Sequence, residues 1–324
     1  MTKYLVTGGA GFIGSHLVDK LIDQGNSVIV LDDLSTGRHD NLKRYASSTS
    51  LEFVLGSILN EQLVDDAVRR SDVVLHLAAA VGVELIVDRP LESLATNIRG
   101  SEVVLEKCHK YGRKVLVTST SEIYGKNTSD SLKEDDDRIL GSPLKTRWSY
   151  SEAKAIEEVL AHAYWREKGL PTVIVRLFNT VGPRQVGQYG MVVPRLVEQA
   201  LRNVPLTVYG TGDQTRCFGH VDDITEGVLG LVAHEGAEGG VFNVGASDEI
   251  SINALAERIV QLTGSTSTVT HIPYDEAYEA GFEDMQRRRP NTSKIRSLLN
   301  WSPVRSLDDI ILDVADDLRQ RTRS

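Results

Sequence analysis

A doubly wound α/β fold, with a parallel sheet and helices on both faces, is predicted by three features of this chain. A glycine-rich turn follows the first apolar run. Short apolar strands then alternate with helical stretches through the first half. After Phe178 that rhythm gives way to a stretch dense in glycine and proline. Regular alternation of this kind builds a parallel sheet, because each crossover returns the chain to the same end of the strands.

Along the chain, Tyr4-Leu5-Val6 reads as the first strand, Ser15–Gln24 as an amphipathic helix and Ser27–Leu31 as the second strand, closed by Asp32. Leu51–Leu55, Val73–Leu77, Lys114–Thr118 and Thr172–Leu177 are further strands. The helical stretches between them are Gln62–Arg69, Ala95–Tyr111 and Ser149–Lys168. Beyond Phe178, residues 179–214 carry Gly182-Pro183, Gly187, Gly190, Pro194, Pro205, Gly210 and Gly212, with one helix near Val193–Arg202. Phe218–His234 reads as a strand end plus a helix and Val241–Val244 as a buried strand. Two helices, Asn253–Thr263 and Leu307–Arg319, then stand among irregular segments. The pattern predicts two domains interleaved in sequence. Residues 1–178 with about 215–245 form a dinucleotide domain, and about 179–214 with 246–324 a smaller substrate domain.

Composition narrows the function. The 324 residues suffice for a substantial core. Apolar and charged contents of 41% and 25% are those of an ordinary globular chain. A net charge of −9 argues against nucleic acid or an anionic membrane as partner, so an anionic ligand needs local basic residues. Cys108 and Cys217 are too few for a disulfide framework and fit a reducing cytoplasm. No apolar run approaches the ~20 residues of a membrane span, and Gly8 interrupts the N-terminal run too early for a signal peptide. No metal site is expected.

The turn itself is Thr7-Gly8-Gly9-Ala10-Gly11-Phe12-Ile13-Gly14. In a Rossmann-type fold Gly8 permits the tight turn, Gly11 lets the backbone approach a pyrophosphate, and Gly14 lets helix and strand pack closely. The phosphates sit on the helix N-terminus, where free N–H groups and the helix dipole favour anions. Asp32, at the end of the second strand, can accept both ribose hydroxyls of NAD and would repel the extra phosphate of NADP. The plain alternative is an ordinary strand-turn-helix.

Tyr150 and Lys154 stand four apart on a predicted helix and so share one face. A lysine one turn away, together with a positive nicotinamide, should lower the tyrosine's pKa below its usual value near 10. The phenolate can then take a hydroxyl proton while the nicotinamide takes a hydride. A surface helix pair is the alternative.

At this point the chain resembles the extended short-chain dehydrogenases/reductases, the NAD-dependent nucleotide-sugar epimerases, dehydratases and decarboxylases. The resemblance runs nearly end to end. It rests on Thr7–Gly14, Asp32, His76-Leu77-Ala78-Ala79, Asn97, Thr120–Gly125, Tyr150 and Lys154, Phe178-Asn179, Gly182-Pro183-Arg184, Gln214-Thr215-Arg216 and Asn243-Val244-Gly245. It implies that NAD is held by Gly8, Gly11, Phe12, Ile13, Gly14, Asp32, Asp33, Ser57, Ile58, Leu77, Ala78, Ala79, Asn97, Tyr150 and Lys154. Ser57 departs from the family, whose members often carry Gly-Asp-Ile where this chain has Gly56-Ser57-Ile58; the acid holds the adenine edge. The resemblance also implies that Thr120 bonds the sugar O4 and that Asn179 and Arg216 hold the diphosphate. Leu206–Tyr209, with Thr207 and Tyr209, would lie along the nucleobase, and Arg184, Val193 and Arg288 complete the nucleotide-sugar site. In family members the helices equivalent to Ala95–Tyr111 and Ser149–Lys168 pair across a homodimer, and Val103, Val104, Ile156, Val159 and Leu160 are the apolar candidates here.

These enzymes share a first step, oxidation at C4 to a 4-keto sugar, and differ in the later steps. Thr120-Ser121-Glu122 resembles the triplet of UDP-glucuronate decarboxylases. The dTDP-glucose 4,6-dehydratases usually carry Thr-Asp-Glu, and simple 4-epimerases have small neutral residues at the Glu122 position; GDP-mannose dehydratases can carry Thr-Ser-Glu. Arg147-Trp148-Ser149-Tyr150, and the acidic run from Glu283-Asp284 to Arg288-Arg289-Pro290, also resemble decarboxylases. Gly182-Pro183-Arg184 is shared with UDP-glucuronate 4-epimerases. A 4-keto uronate is a β-keto acid that loses CO2 readily. Arg288 would bind substrate charge, Ser121 would assist proton delivery and Glu122 would orient or expel the carboxylate. In the plainer alternative, Glu122 bonds backbone and Arg288 binds only diphosphate. The leading expectation is a UDP-glucuronate decarboxylase. The alternatives are a UDP-glucuronate or UDP-glucose 4-epimerase and, from another class, a non-catalytic NAD-sensing protein, against which the intact Thr120, Tyr150 and Lys154 argue. Fold analogy alone establishes none of them.

Overall fold

The structure is a computed structural model and describes residues 1–81, 89–187, 191–277, 285 and 287–323. Seven parallel strands form the central sheet: β1 (Lys3–Thr7), β2 (Ser27–Asp32), β3 (Leu51–Leu55), β4 (Val73–His76), β5 (Lys114–Thr120), β6 (Thr172–Leu177) and, later in the chain, β11 (Val241–Val244). Their spatial order is β11-β6-β5-β4-β1-β2-β3. The chain runs outward from β1 to β3, then returns to β4 on the other side of β1. A crevice opens at that reversal beyond the strand ends, where ligands of such sheets bind.

Side-chain alternation along the strands feeds two cores. Leu5, Ile29, Val74 and Val115 pack beneath the Glu61–Arg69 and Gly100–Tyr111 helices. Their neighbours Val6, Val30, Leu75 and Leu116 pack on the opposite face, against the Phe12–Asp23 and Val221–Ala233 helices. Strands buried on both faces read as continuous apolar runs, which is why each is visible in the sequence. The Ser149–Lys168 helix has the predicted limits. The predicted Ala95–Tyr111 helix begins as a π-helical turn over Ala95–Arg99.

A third apolar cluster lies apart from these two. It joins the helices Val192–Leu201, Ile252–Thr263 and Leu307–Arg323 through Leu196, Leu255, Ile259 and Ile311. Three two-stranded ladders border it: β7 (Thr180–Val181) with β10 (Gly219–His220), β8 (Leu206–Tyr209) with β13 (Val269–Ile272), and β9 (Thr215–Cys217) with β12 (Glu249–Ser251). Part of the region expected to be irregular is therefore ordered, including the short helix Ser293–Leu299. No helix among the described residues is long and apolar enough to cross a membrane.

Candidate active site

The crevice at the sheet reversal holds a cavity of about 670 Å³, lined by both cores' strand ends and by the third cluster. At one end the wall is backbone. Gly8 has φ +71°, and a Cβ there would lie 2.8 Å from the Ala78 amide nitrogen. A Cβ on Gly14 would collide with the Gly8 carbonyl oxygen. The first helix therefore starts pressed against the β1 turn, with its N-terminus open to the cavity. This cradle fits a pyrophosphate, since only backbone N–H groups and a helix dipole occupy the place where an anion must sit.

Asp32 ends β2 in the same wall. Its carboxylate accepts the Ala10 amide (2.9 Å) and the Leu34 amide (2.8 Å), and burial pushes its pKa up while those bonds oppose the rise. A carboxylate has lone pairs beyond these two bonds with which to accept ribose hydroxyls. Asp33 beside it is exposed and accepts the Ser35 amide. Phe12, Ile13, Ser57, Ile58, Leu77, Ala78 and Ala79 complete this end.

A buried hydrogen-bond chain pins the β1 and β4 ends together. The Thr7 hydroxyl oxygen accepts the Leu77 and Ala78 amides, each at 3.2 Å. Its hydrogen is therefore donated to His76 Nδ1 (2.7 Å), which places the imidazole proton on Nε2, facing Ser101 Oγ at 3.0 Å. Burial, with the nearby Lys154, pushes His76 down to about 3, so the ring is neutral.

The chemistry-bearing side chains meet at the centre. Thr120 ends β5, and its hydroxyl oxygen accepts the Glu122 amide at 3.2 Å, capping the short turn Ser121–Tyr124. Ser151 Oγ donates to the Glu122 carbonyl (2.9 Å), which fixes the start of the Ser149–Lys168 helix over that turn. Tyr150 and Lys154 project from this helix into the cavity with Thr120, Ser121 and Glu122. Lys154 Nζ donates to the Thr118 carbonyl (2.8 Å) and to Glu157 Oε2 (2.7 Å).

The expected lowering of the Tyr150 pKa combines Lys154 with a positive nicotinamide; the protein alone pushes the phenol the other way. Burial pushes the phenol up, and the Glu122 and Glu157 carboxylates push it further. The helical spacing is as expected, but the ammonium is engaged by Glu157, a residue with no signal in the tyrosine–lysine motif.

Arginines dominate the other end. Glu122 Oε2 accepts from Arg147 at 2.5 Å, and Oε1 faces an Arg288 nitrogen at 3.5 Å. Burial raises the Glu122 pKa, but the two guanidiniums outweigh it and hold the carboxyl down at about 2. Arg216 lines the same end and donates to the Thr215 carbonyl, while the Asn179 amide holds the Cys217 carbonyl (3.0 Å). Arg195, not foreseen from the sequence, lies over the Tyr209 ring, 4.3 Å from its centroid. Val193 and Tyr209 line the cavity. In a chain of net charge −9, this is a local basic surface for an anionic ligand.

Five expected contacts do not line the cavity: Leu206 and Val208 are buried in the third apolar cluster, and three polar side chains are engaged elsewhere. Asn97 is buried behind the loop after β4, where its amide accepts the Ala80 N–H (2.8 Å) and donates to the Ala80 carbonyl (3.1 Å). Arg184 turns away to pair with Asp19 (2.6 Å), and its N–H donates to Asp317 (3.0 Å), which joins the first helix to the last. Thr207 is held by Gln199 and Arg195 of the Val192–Leu201 helix. Glu283 and Asp284 lie outside the described residues.

A dinucleotide cradle beside a phenol and a threonine hydroxyl can oxidise and re-reduce an alcohol, which is the chemistry of the short-chain dehydrogenase/reductase class. Within that class the chain belongs to the NAD dependent epimerase/dehydratase family, whose model matches residues 4–245. It is 40% identical over 305 residues to a UDP-N-acetyl-alpha-D-glucosaminuronate decarboxylase of Bacillus cytotoxicus, covering 93% of this chain and 92% of that one. It is 36% identical to UDP-glucuronic acid decarboxylase 1 of Arabidopsis thaliana, covering 98% and 70%. Among solved structures it resembles a UDP-glucuronic acid 4-epimerase from Bacillus cereus in complex with UDP-glucuronic acid and NAD. That match has a TM-score of 0.87 and 30% identity, covering 98% and 99%.

Proposed function

We propose that this protein is an NAD-dependent decarboxylase of UDP-glucuronate that works through a 4-keto sugar. The observation that carries the reading is Glu122 clasped by Arg147 and Arg288 within the cavity that Thr120 and Tyr150 line. A simple 4-epimerisation needs no such acid beside the sugar, whereas a uronate needs guanidinium charge and a group to act on its carboxylate. The names of the relatives support the same reading.

Gly8, Gly11 and Gly14 with Phe12 and Ile13 would hold the NAD pyrophosphate, Asp32 the adenosine ribose, and Lys154 the nicotinamide ribose. Bound NAD supplies the acceptor for hydride from C4 and returns it at the end of the cycle. Thr120 bonds the sugar O4, and Tyr150, which the positive charge of a bound nicotinamide would favour as the phenolate, takes its proton. In the 4-keto uronate the C5–C6 bond then breaks, its electron pair passes through C5 to the O4 enolate, and C6 leaves as CO2. Ser121 assists the proton that returns to C5. Glu122, drawn off Arg288 when the substrate carboxylate competes for that arginine, disfavours the carboxylate by like charge. The product is a UDP-pentose when the hydride returns to C4; were the reduced cofactor to leave instead, carrying the two electrons, it would be the 4-keto form. Asn179 and Arg216 hold the diphosphate.

The test is incubation of the enzyme and NAD with UDP-glucuronate, UDP-N-acetylglucosaminuronate and UDP-glucose, read by mass and NMR. CO2 release from UDP-glucuronate is expected. Release only from the N-acetylated uronate would move the substrate to that of the Bacillus cytotoxicus relative. UDP-galacturonate without CO2, or turnover of UDP-glucose alone, would replace the reading with a 4-epimerase.

We also infer a homodimer in the cytoplasm. Val103 and Val104 belong to the core, but Ile156 and Val159 on the Ser149–Lys168 helix are 41% and 67% exposed, an apolar pair available to a second copy. The two free cysteines suit a reducing compartment. Light scattering at micromolar concentration tests the assembly, and a monomer would overturn it.

A further inference from the structure

Asn243 of β11, first in the Asn243-Val244-Gly245 run, is fully buried and stands outside the cavity lining, yet its amide joins three segments of chain. Its Oδ1 accepts the Tyr124 hydroxyl at 2.7 Å. Its Nδ2 donates to the Leu132 carbonyl (2.9 Å) and to the Asn291 carbonyl (3.3 Å), which uses both amide hydrogens. Tyr124 ends the short turn that carries Glu122, and Asn291 stands three residues after Arg288. Leu132 stitches these two segments together. Its N–H donates to the Arg289 carbonyl (2.9 Å), its own carbonyl accepts the Asn291 N–H (2.7 Å), and its side chain packs with Ile123, Tyr124 and Phe178. Gly245 closes the same junction, since a Cβ there would lie 2.6 Å from the Phe178 Cβ and 3.4 Å from Pro290.

We propose that Asn243 is a positioning residue for Arg288: by tying the segment that carries Arg288 and the turn that carries Glu122 to one buried point, it sets the distance at which the arginine stands ready for a substrate carboxylate. The proposal rests on the reading above, in which Arg288 meets the uronate. Glu122 and Arg288 lie 166 residues apart in sequence and face each other at 3.5 Å, the outer limit of a hydrogen bond. A contact of that length is lost on a small shift of either segment, and it also leaves the guanidinium easily drawn to a competing carboxylate. Arg147 holds the same acid at 2.5 Å and arrives by another route, from the turn before the Ser149–Lys168 helix. Loss of the Asn243 amide should therefore disturb Arg288 and leave Glu122 on Arg147. The buried amide acts on the sugar end alone, because none of the three segments it joins belongs to the dinucleotide cradle.

The test is a charge-selective loss of affinity. Calorimetry on the NAD-loaded Tyr150→Phe protein, in which turnover does not interfere, gives Kd for UDP-glucuronate and for UDP-glucose, which differ at the carboxylate. Asn243→Leu keeps the shape of the side chain and removes its three hydrogen bonds. It should weaken UDP-glucuronate roughly two- to tenfold, the worth of one hydrogen bond, and leave UDP-glucose unchanged. Should that variant not fold, Asn243→Ser, too short to span both carbonyls, carries the same expectation. With Arg288→Ala already present, the Asn243 substitution should add nothing, as expected of two residues that act through one contact. Equal losses for the two nucleotides, no loss for either, or a selective loss that persists without Arg288 overturns the proposal. Arg288→Ala alone separates the two readings. If it leaves the preference for the uronate intact, the reading of Arg288 fails and takes this proposal with it; if it abolishes the preference and Asn243→Leu does not touch it, only the proposal fails.

Discussion

The two ends of the cavity are built on different principles. The dinucleotide end is made of backbone: eight consecutive residues from Thr7 to Gly14, an acid at a strand end, and small residues after β4. Its specificity lies in what is absent, since a Cβ at Gly8 or Gly14 meets main-chain atoms. The sugar end is made of long side chains delivered from afar. Glu122 meets Arg147 across 25 residues of chain and Arg288 across 166. A backbone site has almost no freedom to change its ligand, whereas an arginine site changes ligand when one side chain changes. The shared first step of the family fits the first kind of wall, and the divergent later steps fit the second.

Tyr150 stands where the two ends meet, so its removal should give the largest effect. Tyr150→Phe deletes only the hydroxyl, and general acid–base groups contribute about 10²–10⁴-fold. Turnover should fall by that factor with bound NAD unchanged, checked by steady-state rates and cofactor content. Near-normal turnover would detach the chemistry from this helix.

Next in size is the sugar end alone. Arg288→Ala removes one of the two guanidiniums from Glu122 and should weaken binding of the acidic sugar nucleotide by about 1.5–3 kcal/mol, the worth of a hydrogen bond to a charged group. NAD affinity should stay the same. A titration showing equal losses for both ligands would mean that the two ends are one structural unit. Glu122→Gln sharpens the point, because NAD reduction should survive while CO2 release slows.

Acid separates the ends in a third way. His76 is held neutral down to about 3, whereas an unfolded histidine titrates near 6.5, so between these values the unfolded chain binds the extra proton. Stability should therefore fall as pH drops below 6.5, by about 1.4 kcal/mol per unit. Glu122 has the depressed carboxylate's signature: its contribution is complete above about 4.5 and lost as pH falls towards about 2. Denaturation curves of His76→Asn should be flatter between 6.5 and about 3, the stretch above 4.5 being free of Glu122, and unchanged below about 3, where only Glu122 still titrates. An unaltered slope would mean that His76 is not the group that loosens first.

The same contrast explains what can be read from the sequence. The sheet strands, the glycine turn and the Ser149–Lys168 helix are legible because apolar runs, glycine spacing and helical period are local signals. Tyr150 and Lys154 are legible for the same reason. The destinations of long side chains are not. Arg184 follows a glycine-proline pair close to the cavity, but Asp19 and Asp317 draw it away. Thr207 alternates in β8 with buried Leu206 and Val208, as Tyr209 does, yet Gln199 and Arg195 from one helix face intercept it. Ladders of two to four residues carry too little pattern to be seen. Glu157 carries no sequence signal because a second acid, Glu158, stands next to it, and nothing local distinguishes the one that turns to Lys154 from the one that turns to Arg176.

The smallest expected effect lies where the backbone end borrows a side chain. Ser57 stands where relatives often have an acid for the adenine edge, and its hydroxyl oxygen accepts the Leu59 amide at 3.2 Å while facing the cavity. Ser57→Asp should keep that turn, since an aspartate accepts the same kind of amide bond. The added acceptor should tighten NAD by the net worth of one hydrogen bond, about 0.5–1.5 kcal/mol, or roughly two- to tenfold in Kd. The position is only partly buried, so solvent competes and the gain should sit toward the lower end. Calorimetry on protein stripped of cofactor measures it directly. A weaker Kd would mean that the adenine lies elsewhere, and that even the half of the cavity made of main chain depends on side-chain contacts the glycine turn does not specify.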